Sequence, residues 1–554
     1  MDDSRFPLIL LSCAALILTG CSTVPASLTH AENAVQWQPW EAVLTARNEH
    51  PRAYATVDVD VRFTGPDGAT FSVPAFWDGD RTFRFRAAFP SAGTWRWRTT
   101  CNDPSDAGLD GIPGEVQVSA YPGENPLYRH GDLRVSADHR YLIHADGTPF
   151  LWMGDTAWNA AWKSTPAEWR EYVDRRAGQR FSVLQVVATG MVGPNSQASP
   201  PGGHPPFLSD GTPNALFWRG LEEKISYANE RGLIVMLVGV GESPAGFAAS
   251  QRPVAFARYL AGRLAGHLVI LSPSMDQRFS EQNDEAGATL HALTTHLVTQ
   301  HPGTHLPTIL RYHDAAYTDF CGLQSGHRNG DLQLAYQGAR EWALELWRRP
   351  PVKPVIHLEA MYDAHGHNFA PAWREQDVRK LGWIGWLSGA RGYTYGAGDI
   401  PPKVIGAGGG IWRFQVDPKA YDYWRTAMNW PSAGQMTRLR DFLAGIDWWR
   451  LAPAPDLVRN QAGEQTRKMV VSRSATGDLL VAYLPDNPEI ALDLRGLVPG
   501  LKGTWYNPVT GRSTALKESI PADSIATFHR PDDWNDAVLL LTRTPPTSPR
   551  ELKP

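Results

Sequence analysis

Val352-Lys-Pro-Val-Ile-His-Leu-Glu359-Ala-Met-Tyr-Asp363 is a short apolar run, entered through a basic residue and a proline and closed by a carboxylate. Val355 and Ile356 favour a strand, and strands buried on both faces read as continuous apolar runs. Where strands and helices alternate around a barrel, reactive groups stand at the carboxyl ends of strands. Glu359 stands at such an end, with Met361, Tyr362, Asp363, His365 and His367 beyond it. A charge after an apolar strand is also the ordinary way a strand meets water. The stretch alone therefore leaves a catalytic and a terminating role equally open.

Working outward, seven more runs share this character: Phe150–Met153, Val183–Val187, Leu233–Val238, Leu268–Leu271, Thr308–Leu310, Phe320–Leu323 and Gly392–Tyr395. Helical stretches fill most gaps between them. Thr165-Pro166-Ala-Glu168 is a capping box with proline at the first helical position. Phe217, Leu221, Ile225 and Ala228 share a helical face that Gly232 ends. Stretches 254–266, 286–300, 332–347 and 374–388 are expected to be helices of similar length. Eight strands, most of them separated by helices, predict an α/β fold, a (β/α)8 TIM barrel over residues 127–450. No glycine-rich nucleotide fingerprint follows the first strand, which weakens an open dinucleotide-binding sheet.

Both flanks have another rhythm. Val57, Val59, Val61 and Phe63 alternate with charged residues, as do Phe83-Arg-Phe85-Arg and Trp95-Arg-Trp97-Arg. Short alternating strands separated by turns predict an N-terminal β-sandwich over residues 36–120. After the proline-rich turn Ala452-Pro-Ala-Pro-Asp456, apolar runs at 469–471, 479–483 and 538–541 predict a second sandwich over residues 456–545.

The chain has 554 residues and a formal net charge of −4, which with no long basic run argues against nucleic-acid binding. Leu8–Leu18 is apolar but too short to span a bilayer, and it runs into Leu18-Thr-Gly-Cys21. That tetrapeptide resembles the lipobox of bacterial lipoproteins. The resemblance implies a signal peptide over 1–20, a lipidated Cys21, a tether over 21–35, and a membrane-anchored protein of the cell envelope. The acidic Asp2 and Asp3 depart from the usual basic start. Of four cysteines, Cys101 and Cys321 would remain, in different expected domains, and they make no disulfide framework.

Four motifs in barrel order carry a wider resemblance: Leu151-Trp-Met-Gly-Asp155-Thr-Ala-Trp158, Gln324-Ser-Gly-His327, Lys353 to Glu359, and Gly389-Ala-Arg-Gly-Tyr-Thr-Tyr-Gly396. They resemble the apiosidase-like (β/α)8 glycoside hydrolases. The flanks resemble the sandwich that often precedes that domain and the collagen-binding-type domain that often follows it, the latter a label and not a sign of collagen binding. The resemblance implies an exo-acting glycosidase on side chains of plant cell-wall polysaccharide; no cofactor is expected. Such cleavage needs one acid for the leaving oxygen and one carboxylate to attack or to activate water.

The resemblance puts Glu359 at the nucleophile or base position. It expects the acid after the fourth strand, within a Gly-Gly-Asp-like segment, where this chain has Ser272-Pro-Ser-Met-Asp276. Asp276 is the nearest carboxylate; Glu242, Glu281 and Asp284 are rivals. The resemblance also implies that Asp155 binds sugar hydroxyls and that Trp158 is a stacking wall. His313, Gln324 and His327 offer groups that can donate to and accept from hydroxyls, and Tyr395 lies on the eighth strand. For Asp155 and Trp158 a helix cap and a core residue are the competing readings, and barrel filling is the one for Tyr395. No metal site is expected, since no HExxH or fixed His/Asp spacing occurs. Two other classes stand beside the glycosidase. One is a carbohydrate-binding lipoprotein that has lost its acid, which the altered fourth-strand segment suggests. The other is a serine or cysteine hydrolase, disfavoured because no Gly-x-Ser-x-Gly elbow is present.

Overall fold

The structure is a computed structural model that describes residues 29–30, 32–188, 204–240, 253–326, 331–364, 374–398, 423–517 and 519–543. Cys21, Glu242 and His327 lie outside the described residues, as do the apolar run 8–18 and His365 and His367.

The centre is an eight-stranded parallel sheet. Its strands are β1 (Trp152–Thr156), β2 (Val183–Val187), β3 (Ile234–Val238), β4 (Val269–Ser272), β5 (Leu297–Val298), β6 (Cys321–Gln324), β7 (Val355–Glu359) and β8 (Gly392–Gly396). They are hydrogen-bonded in the order β5-β4-β3-β2-β1-β8-β7-β6, so the sheet curls in TIM-like fashion, with the first and last strands side by side at its middle. Between β5 and β6 the ladder is replaced by single bonds: the Asp319 amide donates to the Val298 carbonyl at 2.9 Å, and the Thr299 hydroxyl to the Phe320 carbonyl at 2.8 Å.

Alternation sorts the side chains. Trp152, Val183, Val187, Ile234, Met236, Ile270, Leu297 and Ile356 form the core inside the curl, whereas Met153, Leu184, Val235, Leu271, Tyr393 and Tyr395 join the core beneath the helices. Those helices include α1 (Pro166–Gly178), α2 (Ala215–Glu230), α3 (Pro253–Leu264), α4 (Glu281–Leu293), α5 (Leu306–Asp314), α6 (Glu375–Leu387) and α7 (Pro431–Ala444). The Thr165/Glu168 capping box opens α1 as the sequence implies.

One strand expectation is corrected. Thr308–Leu310 lies inside α5, which proline starts and whose buried face carries Ile309, Tyr312 and His313. The fifth strand is Leu297–Val298, within the stretch expected to end the preceding helix. Two residues are too few to show any period, so the longer apolar run nearby displaced it.

Upstream, a four-stranded antiparallel sheet and a five-stranded mixed sheet share one core, where Trp40 and Phe85 of one meet Phe63 and Trp97 of the other. This unit is clamped to α2 and α3 by buried charges. Arg263 reaches Asp78 at 2.9 Å and also binds Glu222, which Arg86 meets at 2.8 Å. Burial pushes the Asp78 carboxyl up, but Arg219 and Arg263 outweigh it and hold the group below its usual range. Downstream, a six-stranded antiparallel sheet packs one face on a two-stranded pair. Its other face meets α6 and α7, with Tyr483 stacked on Trp383 at 5.8 Å and Arg379 of α6 bound to Asp536 at 2.9 Å.

Candidate active site

Strict alternation along β7 would turn Glu359 the same way as His357, toward the helices. The pairing with β6 breaks that rule. Leu323 pairs with His357 but Gln324 pairs with Glu359, so one residue of β7, Leu358, is extra. Such a bulge re-aims the side chain that follows it. Glu359 is consequently buried among inward groups, with His301 Nε2 at 3.7 Å from its Oε2. Tyr362 is buried with its hydroxyl against Glu359 and Thr156; burial and the Glu359 charge push that hydroxyl well above the usual range.

Asp276 arrives by a separate device. After β4 the chain forms a second short strand, Met275–Gln277, paired with His301–Pro302. Asp276 takes the left-handed conformation, φ 50°, which aspartate tolerates better than most residues. Its side chain is exposed, and its Oδ1 accepts from the Gln324 amide at 2.8 Å. The Asp276 backbone amide reaches His301 Nδ1 at 3.4 Å. His301 therefore touches both acids' surroundings, and burial holds its imidazole below the usual range against the pull of Glu359. Trp158 meets the His301 ring edge-on at 5.2 Å and is itself buried, and Gln185 of β2 stands 3.4 Å from His301 Nε2.

Glu359, Asp276, Gln324 and Trp158 are thus brought together. Three other expected residues are placed elsewhere. Asp155 faces the helices, where Arg176 binds it at 2.7 Å and the Tyr172 hydroxyl at 2.6 Å. Tyr395 points the same way and shares a hydrogen bond with Ser432 of α7 at 2.8 Å. His313 ends a helix rather than a strand and meets Asp314 at 3.2 Å. His301, Tyr362, Gln185 and Thr156 were not singled out as site residues in the sequence. A polar residue inside the apolar run Val183–Val187 was a usable signal for Gln185. His301 was hidden with the two-residue strand before it. Among the described residues no group of His, Cys, Asp and Glu could hold a metal ion.

Chemically, a buried carboxylate and an exposed one linked through His301, with aromatic and amide groups around them, suit acid–base and nucleophilic work on a hydroxyl-rich substrate. Residues 136–450 match the family described as apiosidase-like, catalytic domain; residues 33–102 match a domain of unknown function, and residues 452–542 a domain labelled as collagen-binding, of a collagenase. No curated protein matches the chain. Among solved structures, a protein of Bacteroides vulgatus described as a glycoside hydrolase is 17% identical, with a TM-score of 0.69 over 92% of this chain and 100% of its own. A glycoside hydrolase family 5 protein of the same organism is 20% identical, with a TM-score of 0.65 over 76% of this chain and 95% of its own. At such identities these two likenesses speak for the fold, while the family match spans more than half of the chain. This chain belongs to the apiosidase-like family and is a glycoside hydrolase.

Proposed function

We propose that the enzyme removes side-chain sugars from branched plant cell-wall polysaccharide, with Glu359 as nucleophile and Asp276 as general acid. The observation that carries this reading is that His301 contacts both residues, its Nε2 3.7 Å from the Glu359 carboxyl and its Nδ1 3.4 Å from the Asp276 backbone amide, at the end of β7 and in the short strand beyond β4. Asp276 gives its proton to the leaving oxygen as Glu359 attacks the anomeric carbon, and the glycosidic C–O bond breaks. Water then attacks the glycosyl ester, Asp276 takes its proton, and Glu359 leaves as carboxylate. The outcome is a retained anomer. The hydroxyl of Tyr362 stands against the Glu359 carboxyl. Trp158 floors the sugar site.

The larger reading follows from this. The curled sheet is the (β/α)8 barrel of residues 127–450, and the sheet pairs on either side are non-catalytic β-sandwiches over 36–120 and 456–545. Cys21 carries the lipid that holds the enzyme at the cell envelope; an unmodified N-terminal peptide in mass spectrometry of the native protein would remove the anchor. Digestion of pectin and hemicellulose fragments, with NMR of the first product, tests the activity. Release of a monosaccharide with its anomeric configuration kept is expected. Inverted product, or internal chain cleavage, would overturn retention or exo-action respectively.

A further inference from the structure

Three consecutive residues at the end of β6 hold both acids at once. The Gln324 side chain donates to Asp276 at 2.8 Å. The next two backbone amides, of Ser325 and Gly326, donate to the Glu359 carbonyl at 3.1 and 3.4 Å. The Ser325 hydroxyl meets His357 Nε2 at 2.9 Å. His357 is fully buried, and burial pushes its imidazole down to about 3, so it stays a neutral partner at working pH.

A bulge frees backbone groups that must find partners elsewhere. Here the Leu358 carbonyl accepts from Gln185 at 3.3 Å, and the Glu359 carbonyl from Ser325 and Gly326. Gly326 has φ +67°, and a Cβ there would run into Thr304, so the turn is seated against its neighbour. Resting on the roles given above to Glu359 and Asp276, we propose that Gln324-Ser325-Gly326 is a positioning segment. It sets the spacing and facing of the two carboxylates, and His357 is its buried anchor. The spacing of such a pair selects its mechanism, and a misplacement of about 1 Å costs on the order of 10²-fold in rate.

Gln324→Met keeps the bulk and removes the donor to Asp276. On a pectin fragment that the wild type cleaves, its kcat/KM should fall about 10- to 100-fold. On a para-nitrophenyl glycoside, whose leaving group needs little protonation, the fall should stay within about threefold. Ser325→Ala acts on the Glu359 side and should lower kcat on both substrates alike, with KM held. Equal losses for Gln324→Met on both substrates, or a lowered Tm with wild-type turnover per folded molecule, would overturn the proposal. A readout free of substrate is hydrogen exchange in the wild type. The Ser325 and Gly326 amides should be as protected as those of β7, and exchange at loop rates would also overturn it. Glu359→Gln separates the two readings. Turnover by that variant would sink the site assignment itself, whereas an inactive Glu359→Gln with a uniform Gln324→Met loss would sink only the positioning role.

Discussion

At the scale of single residues, buried charge decides what each acid does. Asp155 and Arg176 are both fully buried and 2.7 Å apart. Removing one partner of such a pair strands the other, at a cost of about 3–5 kcal/mol. Asp155→Ala should therefore lower unfolding stability by that order while leaving KM unchanged. A raised KM at wild-type stability would restore Asp155 to the sugar site. Three buried histidines set the acid limit. Burial pushes His267 down to about 3, His296 to about 4 and His357 to about 3. Below the ordinary value near 6.5 the unfolded chain takes up protons that the folded one refuses, so stability falls as pH falls through that window. Each histidine costs on the order of 2 kcal/mol by about pH 5. Asp363, which burial pushes up to about 6, works in the opposite sense and offsets part of this. Urea midpoints should drop between about pH 7.5 and 5, and a flat profile would contradict the assignment. Glu359 was legible because one carboxylate ended an apolar run. Where Asp155 points was not, since a strand-end acid reads the same on either face.

At the scale of elements, the site depends on departures from regular structure. The β7 bulge turns Glu359 inward, and the short strand after β4 delivers Asp276. Periodicity cannot reveal a bulge, because an extra residue shows only in the partner strand's register. The same limit hid β5, which is two residues long. Regular segments were legible: the α1 capping box, the α2 apolar face and most strands appear within a residue or two of their expected places. Gly322 marks where β6 must be bare. A Cβ there would crowd the Gln300 carbonyl and stand 2.6 Å from Leu358 Cδ1. Gly322→Ala should destabilise by about 1–3 kcal/mol through overpacking, read by thermal or urea unfolding. An unchanged midpoint would mean that β6 and β7 are less tightly seated than described.

At the scale of the molecule, the outer units are tied to the catalytic one by buried ions and aromatic faces. Arg263 is fully buried between Asp78 and Glu222, so Arg263→Ala leaves two acids without their shared cation. A loss of about 3–5 kcal/mol is expected, with turnover per folded molecule kept, because the network lies away from Glu359. Lost turnover in a folded variant would give the N-terminal unit a part in catalysis. That dependence on distant partners was not legible in the sequence, because nothing local to Asp78, Glu222 or Arg263 shows which element will neutralise it. The central claim remains the chemistry of one carboxylate. Glu359→Gln keeps the shape of the side chain and removes its charge, so the fold should keep its Tm. Its initial rate on the cleaved pectin fragment should fall at least about 10³-fold. A folded Glu359→Gln enzyme within tenfold of the wild-type rate would contradict the account.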